Sequence, residues 1–114
     1  MRAGNLKYRI SIERRESFKN DLGEEETSWW TVCTVWAEIK PQSGTERFLA
    51  QQVSGSQTKI FVIRYRNDIS VGHRIRLQMD DRDQYFNITE VDREGEGYRT
   101  GLRLTATYIE GEVY

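Results

Sequence analysis

The sequence predicts an all-β domain: a small antiparallel barrel or sandwich of about six strands, with a long central loop that contains a short helix. Three observations predict it. Apolar and polar residues alternate with a period of two in several short segments, which turns one side of each toward a core. Turn-forming residues separate those segments at short intervals. The single proline, Pro41, opens the one stretch whose apolar spacing is helical.

The elements follow in chain order. Leu6, Tyr8, Ile10 and Ile12 alternate with Lys7, Arg9, Ser11 and Glu13, so Leu6 to Arg15 reads as a strand. Glu16 to Ser28 loses the alternation, holds Asn20, Asp21 and Gly23, and carries the acidic run Glu24-Glu25-Glu26. It is expected to be a long, solvated hairpin loop. Trp29 to Lys40 is rich in aromatic and β-branched residues, which suit a pleated surface. Its phase breaks: Trp30 and Val32 fall on one face, Val35, Ala37 and Ile39 on the other. A β-bulge near Cys33 or Thr34 restores one buried face. The alternative is a strand covered on both sides, with Trp36 buried on the second face or in a subunit contact.

Pro41 to Thr58 is the central excursion. Phe48, Leu49, Gln52 and Val53 have helical spacing, with Glu46, Arg47 and Gln51 elsewhere on the wheel. A helix of about three turns is marginal alone in water, so it docks on something or stays mobile until it does. Lys59 to Tyr65 is the most strand-like run in the chain, and Asn67-Asp68 with Val71-Gly72 brackets the next turn. Arg74 to Met79 and Gln84 to Val91 are strands separated by the acidic turn Asp80 to Asp83. After the glycine-containing turn Asp92 to Gly97, Leu102, Leu104, Ala106 and Tyr108 alternate in the last strand.

A chain of 114 residues fits one domain, residues 1–114. Seventeen Lys and Arg stand against eighteen Asp and Glu, so the concentrated basic excess of a duplex-DNA reader is missing from the total. No apolar run approaches the roughly 20 residues that span a bilayer, and Met1 to Leu6 lacks a signal-peptide core. With Cys33 as the sole cysteine, no intrachain disulfide forms. The chain reads as made and kept in a cytoplasm, with no membrane partner.

No catalytic constellation emerges. His73, the only histidine, sits at a turn-to-strand junction and reads as a surface or strand-edge residue. Cys33 lies in an apolar strand, where cysteines behave as small hydrophobes. One Cys and one His leave a structural zinc site short of ligands. Asp80, Asp81 and Asp83 lack the alternation and distal glutamate of an EF-hand loop. Gly95, Gly97 and Gly101 lie outside any βαβ unit, unlike a dinucleotide fingerprint. The expectation is a non-enzyme with no cofactor and no metal.

Two features point to partners. Arg64, Arg66, Arg74 and Arg76 flank a turn with period two in each strand. If the strands pair, all four form one positive patch, either a charged outer sheet face or a contact for acidic protein or phosphate. The aromatics Trp29, Trp30, Trp36, Tyr65, Tyr85, Phe86, Tyr98, Tyr108 and Tyr114 are many for one small domain, and aromatics with arginine are enriched at interfaces. An oligonucleotide-binding type of β-barrel is the alternative these features allow.

An ordered set of motifs then resembles the phage head-tail joining family, the head-tail adaptor or head-closure (stopper-type connector) proteins. Ala3-Gly4-Asn5-Leu6-Lys7-Tyr8-Arg9-Ile10-Ser11-Ile12 resembles the family's opening strand, followed by a charged loop with Asp21-Leu22-Gly23. Trp29-Trp30-Thr31-Val32-Cys33-Thr34-Val35-Trp36-Ala37-Glu38-Ile39 resembles its tryptophan-alanine-acid strand. Ser43-Gly44-Thr45-Glu46 is similar to the start of its central excursion, and Ile63-Arg64-Tyr65-Arg66-Asn67-Asp68-Ile69 to its arginine-tyrosine strand end. Tyr85-Phe86-Asn87-Ile88 precedes the final strands, and Glu110 to Tyr114 has no counterpart.

The resemblance covers nearly the whole chain. It implies a small β-barrel or sandwich with a long central loop. It implies a homo-oligomeric ring of sixfold or twelvefold symmetry between a portal-adaptor ring and a tail-completion protein. Genomic DNA would pass through its channel without sequence-specific binding. It implies no catalytic residue. Assembly in the bacterial cytoplasm and residence at the virion head-tail connector, of a phage or prophage, follow from it.

The helical excursion then becomes the expected partner-contact segment, through Glu46, Arg47, Phe48, Leu49 and Val53. Replacing Phe48, Leu49 and Val53 with serine is expected to leave the monomer folded and block its attachment to filled heads. Circular dichroism of the protein and electron microscopy of the particles check the two halves; normal attachment overturns the assignment.

Overall fold

The computed structural model describes residues 3–40, 57–79, 81–95 and 101–109. A short 3-10 turn, Ala3–Asn5, precedes six strands. These are β1 (Tyr8–Lys19), β2 (Glu25–Lys40), β3 (Thr58–Ile63), β4 (Arg74–Leu77), β5 (Gln84–Glu94) and β6 (Gly101–Tyr108). The ring order is β1-β2-β3-β6-β5-β4, every pairing is antiparallel, and β4 returns to β1 to close a barrel. Of the two architectures open to the sequence, the chain adopts the barrel. The helix expected around Phe48, Leu49, Gln52 and Val53 lies outside the described residues.

The period of two translates into the core except at strand ends, where Tyr8 and Met79 are exposed. Ile10 and Ile12, Phe61 and Ile63, Ile75 and Leu77, Phe86 and Ile88, and Leu102, Leu104 and Ala106 point inward and are buried. Ile69 joins them from the β3–β4 connection. Phe86 meets Phe61 edge-on at a ring-centroid distance of 5.2 Å and Tyr108 at 5.5 Å, the offset geometry that aromatic quadrupoles favour. Each such side chain removed from water contributes roughly 1.5–3 kcal/mol before chain entropy is counted.

Two bulges correct the phase of the long strands. In the β1–β2 ladder Ile12 faces Cys33 and Glu13 faces Thr31, so Val32 is the extra residue. Cys33, Val35, Ala37 and Ile39 thereby pack on the core, and Trp30, beyond the bulge, is exposed. The phase break in the sequence placed this bulge within one or two residues. In the β5–β6 ladder Ile88 faces Ala106 and Glu90 faces Thr105, leaving Thr89 extra. Its Oγ1 donates to the Thr105 carbonyl at 3.2 Å. A bulge bends its strand and increases the local twist, which a sheet needs in order to close.

The first hairpin corrects an expectation. Glu16 to Ser28 is not a long loop: β1 runs to Lys19, β2 begins at Glu25, and the ladder is continuous to Lys19↔Glu25. Only residues 20–24 turn. Asn20 organises them: its Oδ1 accepts from the Leu22 and Glu24 amides at 2.9 and 3.0 Å, and its amide donates to the Glu24 carbonyl at 2.9 Å. Gly23 supplies the positive φ of 82°. Beyond Glu13 the ribbon has lost its β4 neighbour and projects from the barrel as a two-stranded arm of roughly 20 Å. Both of its faces meet water, so nothing selects an alternating pattern there.

The barrel's outer wall carries one buried ion pair. Glu13 and Arg74 face each other across the β1–β4 seam. Arg74 Nε donates to Glu13 Oε1 at 2.6 Å, with both side chains 7% exposed. The guanidinium lies 4.1 Å from the Trp29 ring centroid and 4.5 Å from that of Tyr85, so two aromatic faces cover the charge. Removing one member strands the other in a dry site. Glu13→Ala is therefore expected to cost about 3–5 kcal/mol in urea unfolding. Asp68→Ala, which breaks the exposed Arg66–Asp68 pair, should cost no more than about 1 kcal/mol.

Candidate functional site

The four arginines singled out in the sequence do not meet. β3 pairs with β2 and β6, whereas β4 pairs with β1 and β5, so the strand pairing that one patch requires is absent. Arg74 is spent on Glu13. Arg76 Nη2 donates to Ser11 Oγ at 3.3 Å, and its Nε lies 3.8 Å from Asp83. Arg64 and Arg66 lie instead on the connection that leaves β3. Glu46, Arg47, Phe48, Leu49 and Val53 lie outside the described residues.

A different basic surface forms around Arg64 and Arg66. Arg9 faces Trp36 across the β1–β2 ladder on the barrel's exterior, its guanidinium 5.0 Å from the indole centroid. The β2–β3 ladder ends at Glu38↔Val62, and just past it Arg64 and Arg66 line the same surface as Thr34 and Trp36. These residues, with Leu6, Val35 and Tyr65, line an open groove of about 600 Å³. Trp36 remains 51% exposed in it. Arg93 lies over the Tyr65 ring, 5.1 Å from its centroid, and its Nη2 is 3.5 Å from the phenol oxygen. Arg66 is held by both Asp68 oxygens at 2.9 and 2.8 Å, which draws the Asp68 carboxyl below its usual range. Among the described residues that line the groove there is no carboxylate. The sequence signals for it were the arginine and tryptophan on the polar phase of their strands, Arg9 and Trp36; the pairing that joins them to Arg64 is not local.

The arm offers the opposite character. Its tip presents Asp21, Glu24, Glu25 and Glu26, all exposed, around Leu22, which is 83% exposed. Phe18 and Trp30, 45% and 54% exposed, lie along one face of the same ribbon.

The nucleophile candidates sit apart from this surface chemistry. Cys33 packs against the core, half-buried, and burial raises its thiol pKa against the opposing pull of Arg66, the reverse of the lowered pKa that activates a nucleophilic cysteine. His73 lies beside Ser70, with Nδ1 3.4 Å from the Ser70 amide and Nε2 3.3 Å from its hydroxyl. Burial, then Arg14, lowers its pKa. Asp68, the nearby acid, is committed to Arg66 and does not orient the imidazole as a triad requires. Among the described residues no group of His, Cys, Asp and Glu has the form of a metal site. None of their helices is long and apolar enough to cross a membrane.

The family model for the phage head completion protein matches residues 1–108. The chain belongs to this family. Membership makes it a structural protein of phage head assembly that works against other head and tail proteins. The fold agrees with a solved relative, protein SF1141 from Shigella flexneri 2a. The solution structure of that protein superposes with a TM-score of 0.69 at 25% identity, over 95% of this chain and 96% of that one. No curated protein matches the sequence. The double variant Cys33→Ala/His73→Ala is expected to fold and to complement a phage lacking the gene at the wild-type titre; loss of complementation by a folded variant would reveal chemistry at these residues.

Proposed function

We propose that this head completion protein forms a ring at the head-tail connector, closes the DNA-filled head and provides the surface on which the tail docks. The observation that carries the reading is the family match across residues 1–108. The physical character of the chain supports it. A closed barrel fixes subunit shape, and closure removes the free sheet edges of the barrel itself, leaving those of the arm. The apolar and charged groups left outside it, on the arm and in the arginine-lined groove, have the composition of protein interfaces.

The neighbours in this reading are the portal-adaptor ring on the head side and a tail-completion protein on the other. Genomic DNA crosses the channel without being read. The ring has sixfold or twelvefold symmetry and carries no catalytic role. Glu46, Arg47, Phe48, Leu49 and Val53 are proposed as a partner contact.

Deleting the gene from its phage tests the role. Electron microscopy is expected to show DNA-filled or leaking heads accumulating beside complete, unattached tails. Heads that still join tails at the normal frequency overturn it.

A further inference from the structure

The arm tip and the groove are complementary in charge and both offer apolar side chains, and one molecule cannot bring them together. The tip is a rigid turn with one apolar side chain, Leu22, at its apex and four exposed carboxylates around it. Lys19 is the only base in residues 19–26. The groove is the converse: an apolar and aromatic lining of Leu6, Trp36 and Tyr65, rimmed by Arg9, Arg64 and Arg66. Its volume of about 600 Å³ exceeds that of a leucine side chain several-fold.

Both features lie on β2, Glu25 at the arm and Trp36 at the groove. The strand between them is paired to β1 throughout, with one bulge. At about 3.3 Å per residue they stand roughly 35 Å apart, and a paired ribbon does not fold back on itself. The molecule measures 50 Å along its longest axis. A tip can therefore fill only the groove of another copy.

We infer that the Leu22 tip of one copy seats in the Arg9–Trp36–Arg64 groove of the next. The contact is heterologous: one surface donates, a different one receives, and each copy retains one of each. Repetition of such a contact closes a ring when the rotation per step divides a full turn. The inference rests on the ring of the proposed function and supplies the contact that builds it. Charge complementarity speeds the encounter and fixes the register, while the apolar knob and aromatic lining exclude water. The Asn20 hydrogen bonds hold the turn in shape before contact, so little ordering cost remains at this surface.

Disulfide trapping in phage particles tests it. In a Cys33→Ser background, Asp21→Cys at the tip and Thr34→Cys at the groove leave Leu22, Trp36 and the arginines in place. Particles carrying both substitutions are expected to yield a ladder of linked copies on non-reducing gels. Particles carrying a mixture of the two single variants should yield dimers only. Glu25→Arg should lower the linked fraction at least tenfold, and Arg64→Glu in the receiving copy should restore it.

Rings visible at the connector without the link overturn the contact and leave the ring standing. Particles whose connector holds no ring of this protein overturn both. A link from Asp21→Cys to a different phage protein assigns the arm another occupant and overturns the second-copy contact. An undiminished link in Glu25→Arg removes its electrostatic basis.

Discussion

The sheet closes along a seam of four residue pairs, Ile10–Glu13 against Arg74–Leu77, and the rest of the molecule depends on that closure. It joins the first hairpin to β4 and so closes the ring. Its interior side is apolar, through Ile10, Ile12, Ile75 and Leu77. Its exterior side ends on the Glu13–Arg74 pair, which a buried ion pair can sustain only in good geometry. Trp29 and Tyr85 improve that geometry by stacking on the guanidinium from β2 and β5. One arginine thereby ties four strands together on the outside, where a small barrel has no second sheet to cover it.

The end of the seam also decides where the barrel stops and the arm starts. Past Glu13, β1 has no partner but β2, and the bulge at Val32 inverts the facing of β2 at the same level. Within the barrel, one face of the ribbon is dry. In the arm neither is, and polar residues accumulate with Phe18, Leu22 and Trp30 left exposed among them. Exposed large apolar groups on a two-stranded projection are costly for a solitary protein and useful for one that assembles.

The groove and the arm divide the surface into a receiving and a donating part. Arg9, Trp36 and Arg64 come from three separate segments that only the β1–β2–β3 order sets side by side. The donating part is local, a turn held by Asn20 and Gly23. Both are surfaces of the barrel's exterior, set apart from the apolar side chains that fill its interior. The chemistry of this head completion protein is that of fit and charge between surfaces.

The sequence by itself determined the cores of the strand-forming segments and most of the inward residues, and it offered the bulge in β2 as one of two ways to account for a broken phase; Tyr8 and Met79, read on the inward set, are exposed. What it determined follows from the alternation of apolar and polar side chains, which a pleated strand imposes on its own neighbours in the chain. The family resemblance was legible for the same reason, as an ordered set of local motifs. The tertiary structure alone decided three things. It chose the barrel over the sandwich, because strand pairing across fifty or more residues leaves no local trace. It made the acidic loop an arm, because a ribbon wet on both faces has no reason to alternate. It also separated the four arginines and gathered Arg9, Trp36, Arg64 and Arg66 instead. Period shows which face of a strand a side chain occupies, but only the order of the strands shows what stands beside it.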